Sequence, residues 1–325
     1  MHYKLALIGF GNVARALARL LVRKQDLLKS QYDVTFSFTG IATGSHGFAV
    51  NPNGLDIQKA LELVESGKSI SLLSVIDVAD SMAVINNSQA NVMFENSPVN
   101  TQTGQPALDH IRTALNLNMH AITANKGPVV HGYRELNTLA KSKGKRFGFE
   151  STVLGGAPVF SVFREAFPLA ELTSIKGIFN ATTNVILSLM ENGEAYDDAV
   201  KYAQSIGLAE TDPTNDVDGW DAAIKVAALV TVLMDTPMTP QQVNPTGIRG
   251  ITPEMISKAK AFAFGFGKRG QLAVAVNNRS LVGGNGVHVQ IQRRTDMIQC
   301  GLTCLCVDRG ILEHDISLGV VDDSH

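Results

Sequence analysis

The chain predicts an α/β fold in which crossover helices wrap a parallel sheet, followed by a second domain of different texture. Short apolar or β-branched runs alternate with amphipathic helical patterns up to about residue 150. The 325 residues suit roughly two domains at ~150 residues each. Gly155, Gly156 and Pro158 then interrupt the pattern. The expected divisions are residues 1–150, residues 151–290 and a divergent, poorly ordered tail at 291–325.

Strands are expected at 5–9, 34–42, 70–75, 91–95, 120–123 and 147–151, and helices at 13–24, 57–66, 104–116 and 133–142. In the first helix Val13, Leu17, Leu20 and Leu21 form the sheet face, with Arg15, Arg19 and Arg23 opposite. Beyond the break, helices are expected at 159–166, 183–192, 197–206 and 220–234, with a strand at 173–179. Residues 207–219 read as a polar, Asp-rich loop.

With 28 Lys and Arg against 30 Asp and Glu and a hydrophobic share of 45%, the chain is neither a disordered segment nor a disulfide scaffold. No basic block offers a footprint for a phosphate backbone or an anionic membrane, so a small-molecule substrate is the expected partner rather than nucleic acid. The longest apolar stretch, Val226–Met234, is far short of the roughly 20 residues of a membrane span. The run Leu5–Ile8 is too short for an export signal. Cys300, Cys304 and Cys306 are an odd, crowded set that fits a reducing compartment. The expectation is a cytoplasmic protein.

Gly9-Phe10-Gly11-Asn12-Val13-Ala14 matches G-x-G-x-x-G/A between a strand and a helix. The glycines permit a tight turn and close backbone approach, and the helix amides stabilise a pyrophosphate. An NAD-selective site places a carboxylate after the second strand, but residues 41–47 contain none, while Arg15 and His46 offer positive charge. NADP or dual use is therefore expected.

The helix at 220–234 is apolar on nearly every face, yet carries Asp221 and Lys225 four residues apart on one side. Burying such a pair costs several kcal/mol that apolar residues would avoid, which points to function. Burial weakens an amine's hold on its proton and an adjacent carboxylate strengthens it, a balance suited to proton exchange near neutral pH. Upstream, Asp218 reads as the helix N-cap, and Glu210, Asp212 and Asp216 as either ligands for a substrate ammonium group or a solvated acidic loop. Lys126, in Thr123-Ala124-Asn125-Lys126-Gly127-Pro128, falls at the carboxyl end of the sheet, where open α/β folds bind ligands.

These residues, with Asn51-Pro52-Asn53-Gly54-Leu55-Asp56, the run Glu150–Pro158, Gly177-Ile178-Phe179-Asn180-Ala181-Thr182-Thr183-Asn184 and Gly207–Pro213, resemble the homoserine dehydrogenase family. The resemblance runs from about residue 4 to about residue 265. It implies a Rossmann-type, doubly wound nucleotide-binding domain, an α+β catalytic and dimerisation domain on a mixed sheet, and a homodimer. It also implies NADP- or NAD-dependent interconversion of homoserine and aspartate 4-semialdehyde on the route to threonine, methionine and isoleucine. Lys225 and Lys126 would be catalytic, and Glu210, Asp216 and Asp221 substrate-binding. Gly9, Phe10, Gly11, Asn12, Val13, Arg15, Ser97 and Lys126 would hold the cofactor. A sodium ion would sit on Glu150 and the carbonyls of Val153, Gly155 and Ala157.

Three departures stand out. Ala181 replaces the usual glycine and Val185 a frequent tyrosine, and residues 291–325 lack the Gly-rich loop and returning helix that normally close the family's chains. The altered end supports an alternative, a catalytically weak or inactive relative that keeps dinucleotide binding.

Overall fold

Side chains of the first strand point alternately to the two faces of a sheet, and its last four residues, Leu5 to Ile8, are buried on both. Leu5 and Leu7 of β1 (His2–Ile8) join a cluster with Phe38 and Ile41 of β2 (Thr35–Ala42). Ala6 faces the opposite side with Gly40, where a side chain would meet Val84 and Ser88. One sheet therefore carries two covered faces, as a doubly wound fold requires. The computed structural model describes residues 1–170, 172, 175 and 179–258, and the backbone of 271–276, 285–294 and 304–309. It divides into two compact units, Met1–Val159 and Phe160–His325.

The sheet of the first unit has six strands in the order β3-β2-β1-β4-β5-β6, with β3 (Phe48–Val50), β4 (Val92–Glu95), β5 (His120–Thr123) and β6 (Phe147–Gly148). Every pairing is parallel except β2 with β3. On one side α1 (Asn12–Tyr32) and α2 (Ile57–Glu65) share the cluster of Leu5, Leu7 and Ile41. Asp56 caps α2 by accepting from Lys59 N at 3.0 Å. The helices α3 (Ser81–Asn87), α4 (Ala107–Asn116) and α5 (Lys126–Ser142) follow, α3 against β1 and β2 and α4 against β4 and β5.

In the second unit α6 (Val159–Ala166), which begins at the division, is followed by α7 (Ala181–Glu191), α8 (Tyr196–Ser205), the single turn α9 (Thr214–Val217) and α10 (Trp220–Leu233). Ile186, Met190, Ala203, Val217 and Ile248 form one buried cluster. Among the described residues its sheet is antiparallel, β7 (Gln271–Val276), β8 (Asn285–Arg294) and β9 (Cys304–Arg309), so residues 291–294 and 304–309 of the expected tail are strand. The rest of that tail, and most of the strand expected at 173–179, lie outside the described residues.

Several expectations need correction. Residues 70–75 are not a strand: Leu73 N donates to Ile70 O at 2.9 Å in a 3-10 turn, Leu72 and Val75 are exposed, and the Ser74 hydroxyl accepts from Val50 N at 2.8 Å. The sheet face of α1 is Ala14 and Ala18 with the expected Leu21, and Val22 beside it, whereas Val13 and Leu20 are exposed; small side chains let the helix lie close on the strands. The helix expected at 133 begins at Lys126, because Asn125 caps it by accepting from Gly127 N at 2.9 Å. The helix expected at 104 starts at Ala107, and the strand at 147–151 stops at Gly148, where Glu150–Thr152 turns as a 3-10 helix. The loop at 207–219 contains α9.

Gly9 lies at φ +86°, and a Cβ there would fall 2.5 Å from the carbonyl carbon of Asn96. Both the conformation and the backbone contact exclude a side chain. Gly9→Ala is expected to lower unfolding free energy by ~1–3 kcal/mol, read from urea denaturation; an unchanged midpoint would contradict this packing.

Candidate active site

Gly9 N and Phe10 N both donate to Ala42 O, at 3.0 and 3.1 Å, which ties the turn to the end of β2. Phe10 is buried. Gly11 precedes α1 with no side-chain cap, and a Cβ built on it would meet nothing within 4 Å. The two glycines thus differ: the first is required by neighbouring backbone, the second leaves open space before an uncapped helix N-terminus. That opening suits a pyrophosphate, which would take the orphan amides and favour the positive end of the helix dipole. Arg15 Nη2 donates to Asn12 Oδ1 at 2.7 Å within this first turn.

The turn after β2 is held by the Thr43 hydroxyl, which accepts from His46 N at 2.6 Å and donates to Gly47 O at 3.0 Å. It carries no carboxylate, and Gly44 borders open space. At the end of β4, Ser97 donates its amide to Glu95 Oε1 at 3.1 Å. Asn125 Nδ2 donates to Ser97 O at 3.0 Å and to Pro98 O at 3.2 Å. Ser97 therefore stands on a loop bonded to Asn125, the cap of the helix that half-buried Lys126 opens.

Every residue of α10 from Ala222 to Thr231 is buried except Lys225. Lys225 Nζ lies 2.7 Å from Asp221 Oδ2, with side-chain exposures of 15% and 19%, so solvent reaches the pair but only in part. Lys225 also donates to Phe179 O. Asn180, 4% exposed, donates to Asp216 Oδ1 at 2.6 Å and to Asp221 Oδ2 at 3.0 Å while capping α7 through Thr183 N at 2.8 Å. The result is one ammonium paired with Asp221, and a second carboxylate, Asp216, tied to that pair through Asn180, a local excess of negative charge that favours a second cation. Asn180 is a member of this cluster that sequence reasoning assigned no role; its signal was its place directly before α7, where Asn is a preferred cap.

The acidic loop divides its carboxylates between structure and site. Asp212 accepts from Thr214 N at 3.0 Å and from the Thr214 hydroxyl, which holds its carboxyl below the ordinary range. Asp218 bonds Arg249 and is not the N-cap of α10; Gly219, at φ +86°, takes that place because Pro245 Cβ would lie 3.0 Å from any Cβ there. Only Asp216 turns toward Asn180, beside a small cavity lined also by Thr183, Gly247 and Ile248. Glu210 is exposed in the turn after α8, and among the described residues its side chain bonds none of Lys225, Asp216 or Asp221. Glu150 opens a 3-10 turn, Val153 is buried, Gly155 and Ala157 are exposed, and Ala157 O accepts from Val159 N at 2.9 Å. Among the described residues no cluster of His, Cys, Asp and Glu forms a metal site, and no helix is long and apolar enough to cross a membrane.

A doubly wound sheet with an open glycine turn in one unit, and a partly buried amine held by a carboxylate in the other, define a dinucleotide-dependent oxidoreductase of the α/β class. The homoserine dehydrogenase family model matches residues 158–296. A homoserine dehydrogenase from Methanocaldococcus jannaschii is 38% identical over 252 residues, covering 77% of this chain and 74% of that protein. An NAD(+)-dependent homoserine dehydrogenase from Pseudomonas canavaninivorans is 35% identical over 261 residues, covering 80% of this chain and 74% of its own. Among solved structures, a hyperthermophilic archaeal homoserine dehydrogenase in complex with NADPH aligns with a TM-score of 0.66 at 25% identity, over 94% of this chain and 91% of that one. The chain belongs to the homoserine dehydrogenase family.

Asn180→Ala removes both a helix cap and the bridge between two carboxylates. Thermal or chemical unfolding is expected to show a loss of ~1–2 kcal/mol from the cap; wild-type stability would mean that the bonds to Thr183 and the carboxylates contribute nothing.

Proposed function

We propose that this protein catalyses the NADP- or NAD-dependent interconversion of homoserine and aspartate 4-semialdehyde, with Lys225 as the group that moves the proton. The single observation that carries the reading is the Lys225–Asp221 pair on an otherwise buried helix. A bound nicotinamide supplies the hydride in reduction and accepts it in oxidation. Lys225 Nζ gives its proton to the aldehyde oxygen as the alcohol forms and takes one from the hydroxyl in the reverse direction. Asp221 keeps the amine oriented in both. Asp216, Asp221 and exposed Glu210 bind the substrate, the first two through its ammonium group. Lys126 serves the nicotinamide end, with Ser97 on the neighbouring loop.

Gly9, Phe10, Gly11, Asn12, Val13 and Arg15 hold the pyrophosphate side of the cofactor. Because no carboxylate stands in the turn after β2 and His46 and Arg15 carry or can carry positive charge, NADP is the preferred form. Sodium would take Glu150 and the carbonyls of Val153, Gly155 and Ala157; these are hard oxygen donors, and Ala157 O keeps a second lone pair beside its bond to Val159. The protein is a cytoplasmic homodimer in this reading.

The deciding assay follows reduced-nicotinamide absorbance with homoserine and each cofactor. Lys225→Ala is expected to cut turnover by about 10² or more while cofactor affinity stays within a few-fold; undiminished turnover would refute its assigned role. Gly44→Asp places a carboxylate in open space and is expected to weaken NADPH binding by roughly tenfold through like-charge repulsion, with NADH affinity kept. Equal effects on both would overturn the stated preference.

A further inference from the structure

Glu95, the last residue of β4, is completely buried, yet the proposed reaction gives it no task. A carboxylate in such a place is costly unless its oxygens are hydrogen-bonded, and both of these have donors in reach. Oε1 accepts from Ser97 N at 3.1 Å and from the Ser97 hydroxyl, and lies 3.4 Å from His110 Nδ1. Oε2 lies 3.2 Å from the Thr123 hydroxyl, which is also 3.0 Å from the Glu95 backbone carbonyl. His110, itself buried, is braced from behind by Ser81 Oγ at 2.7 Å from Nε2.

The partners of Glu95 are joined to one another as well. Thr123 Oγ1 accepts from Asn125 N at 2.9 Å, and Asn125 in turn donates to Ser97 O at 3.0 Å. The bonds close a ring: Glu95 to Ser97, Ser97 to Asn125, Asn125 to Thr123, and Thr123 back to Glu95. Inside it, the loop after β4 and the turn from β5 into α5 behave as one piece. Lys126 is the next residue after Asn125, and the Gly9 turn abuts Asn96 and Ser97 directly. A carboxylate that served only to fill the core would be replaced at little cost by an apolar residue of the same volume. This one instead gathers donors from the two loops at the carboxyl edge of the sheet, where ligands of open α/β folds bind.

We propose that Glu95 is a positioning residue of the cofactor site, locking Ser97 and the Asn125–Lys126 turn in a single arrangement through the Ser97–Asn125–Thr123 ring. The inference rests on the reading of Ser97 as a cofactor contact. Its side-chain length matters more than its charge. One methylene fewer prevents it from reaching both Ser97 and Thr123, whereas a glutamine of equal length still offers Oε1 to Ser97.

The test uses the full chain, with NADPH affinity measured by calorimetry and folding followed by thermal unfolding. Ser97→Ala and Glu95→Asp are each expected to weaken NADPH by about tenfold, the scale of one hydrogen bond to a charged group. Glu95→Gln should stay within about threefold of the unsubstituted protein, and the Ser97→Ala, Glu95→Asp double variant should be no weaker than about threefold beyond either single one, because both changes break the same link. NADPH affinity in Glu95→Asp within threefold of the unsubstituted protein, whatever its melting temperature, would overturn the proposal, as would losses that multiply in the double variant. An unaffected Ser97→Ala would sink the cofactor reading of Ser97 and this inference with it. A weakened Ser97→Ala beside an unaffected Glu95→Asp would sink the inference alone. Should Glu95→Asp fail to fold, Thr123→Val breaks the same ring at nearly constant shape, and an NADPH affinity within threefold there would equally overturn it.

Discussion

An ammonium group 2.7 Å from a carboxylate, on a helix whose other central residues are all buried, sets the terms for the second unit. Removing either charge would leave its partner partly desolvated and unmatched, so the helix keeps both or neither. Asn180 makes the arrangement specific. Its amide spans Asp216 and Asp221 while its carbonyl oxygen caps α7, and so the start of one helix, the acidic turn and the charged face of α10 are fixed by one side chain. The turn itself is shaped from behind: a Cβ on Gly247 would fall 2.4 Å from Val217 O, and Ile248 N donates to that same carbonyl at 2.7 Å.

In the first unit the comparable constraint is backbone rather than charge. Gly9 is held where only glycine fits, against the residues that end β4, whereas Gly11 opens onto space. A motif that reads as one pattern thus divides into a residue demanded by the packing of its own fold and a residue that the fold alone does not require to be glycine. The buried carboxylate of Glu95 lies on the same edge, and Ser97, which it holds, packs directly against the Gly9 turn.

What was legible in the sequence followed from local rules. Asp221 and Lys225 stand out because charges four apart on an apolar helix have a short list of explanations, and the glycine turn because it sits between a clear strand and a clear helix. What escaped depended on distant partners. Asn180 meets residues 36 and 41 positions away, and no local pattern announces such bonds. Glu95 reads as the polar end of a strand until Thr123 and His110 are brought beside it. The error at 70–75 arose because Ser71 and Ser74 spend their hydroxyls on turn and edge contacts that an apolar count ignores, and β3 is too brief to leave a period. The assignment of Asp218 as a cap failed for a similar reason: Arg249, 31 residues on, claims the carboxylate.

The most direct test of the account is a crystal structure of the protein with homoserine and the oxidised cofactor bound. Lys225 Nζ is expected within about 3.2 Å of the substrate hydroxyl, the reach of direct proton transfer, with Asp221 still bonded to the amine. A hydroxyl contacted by another group, with Lys225 bonded only to Asp221 and Phe179, would contradict it.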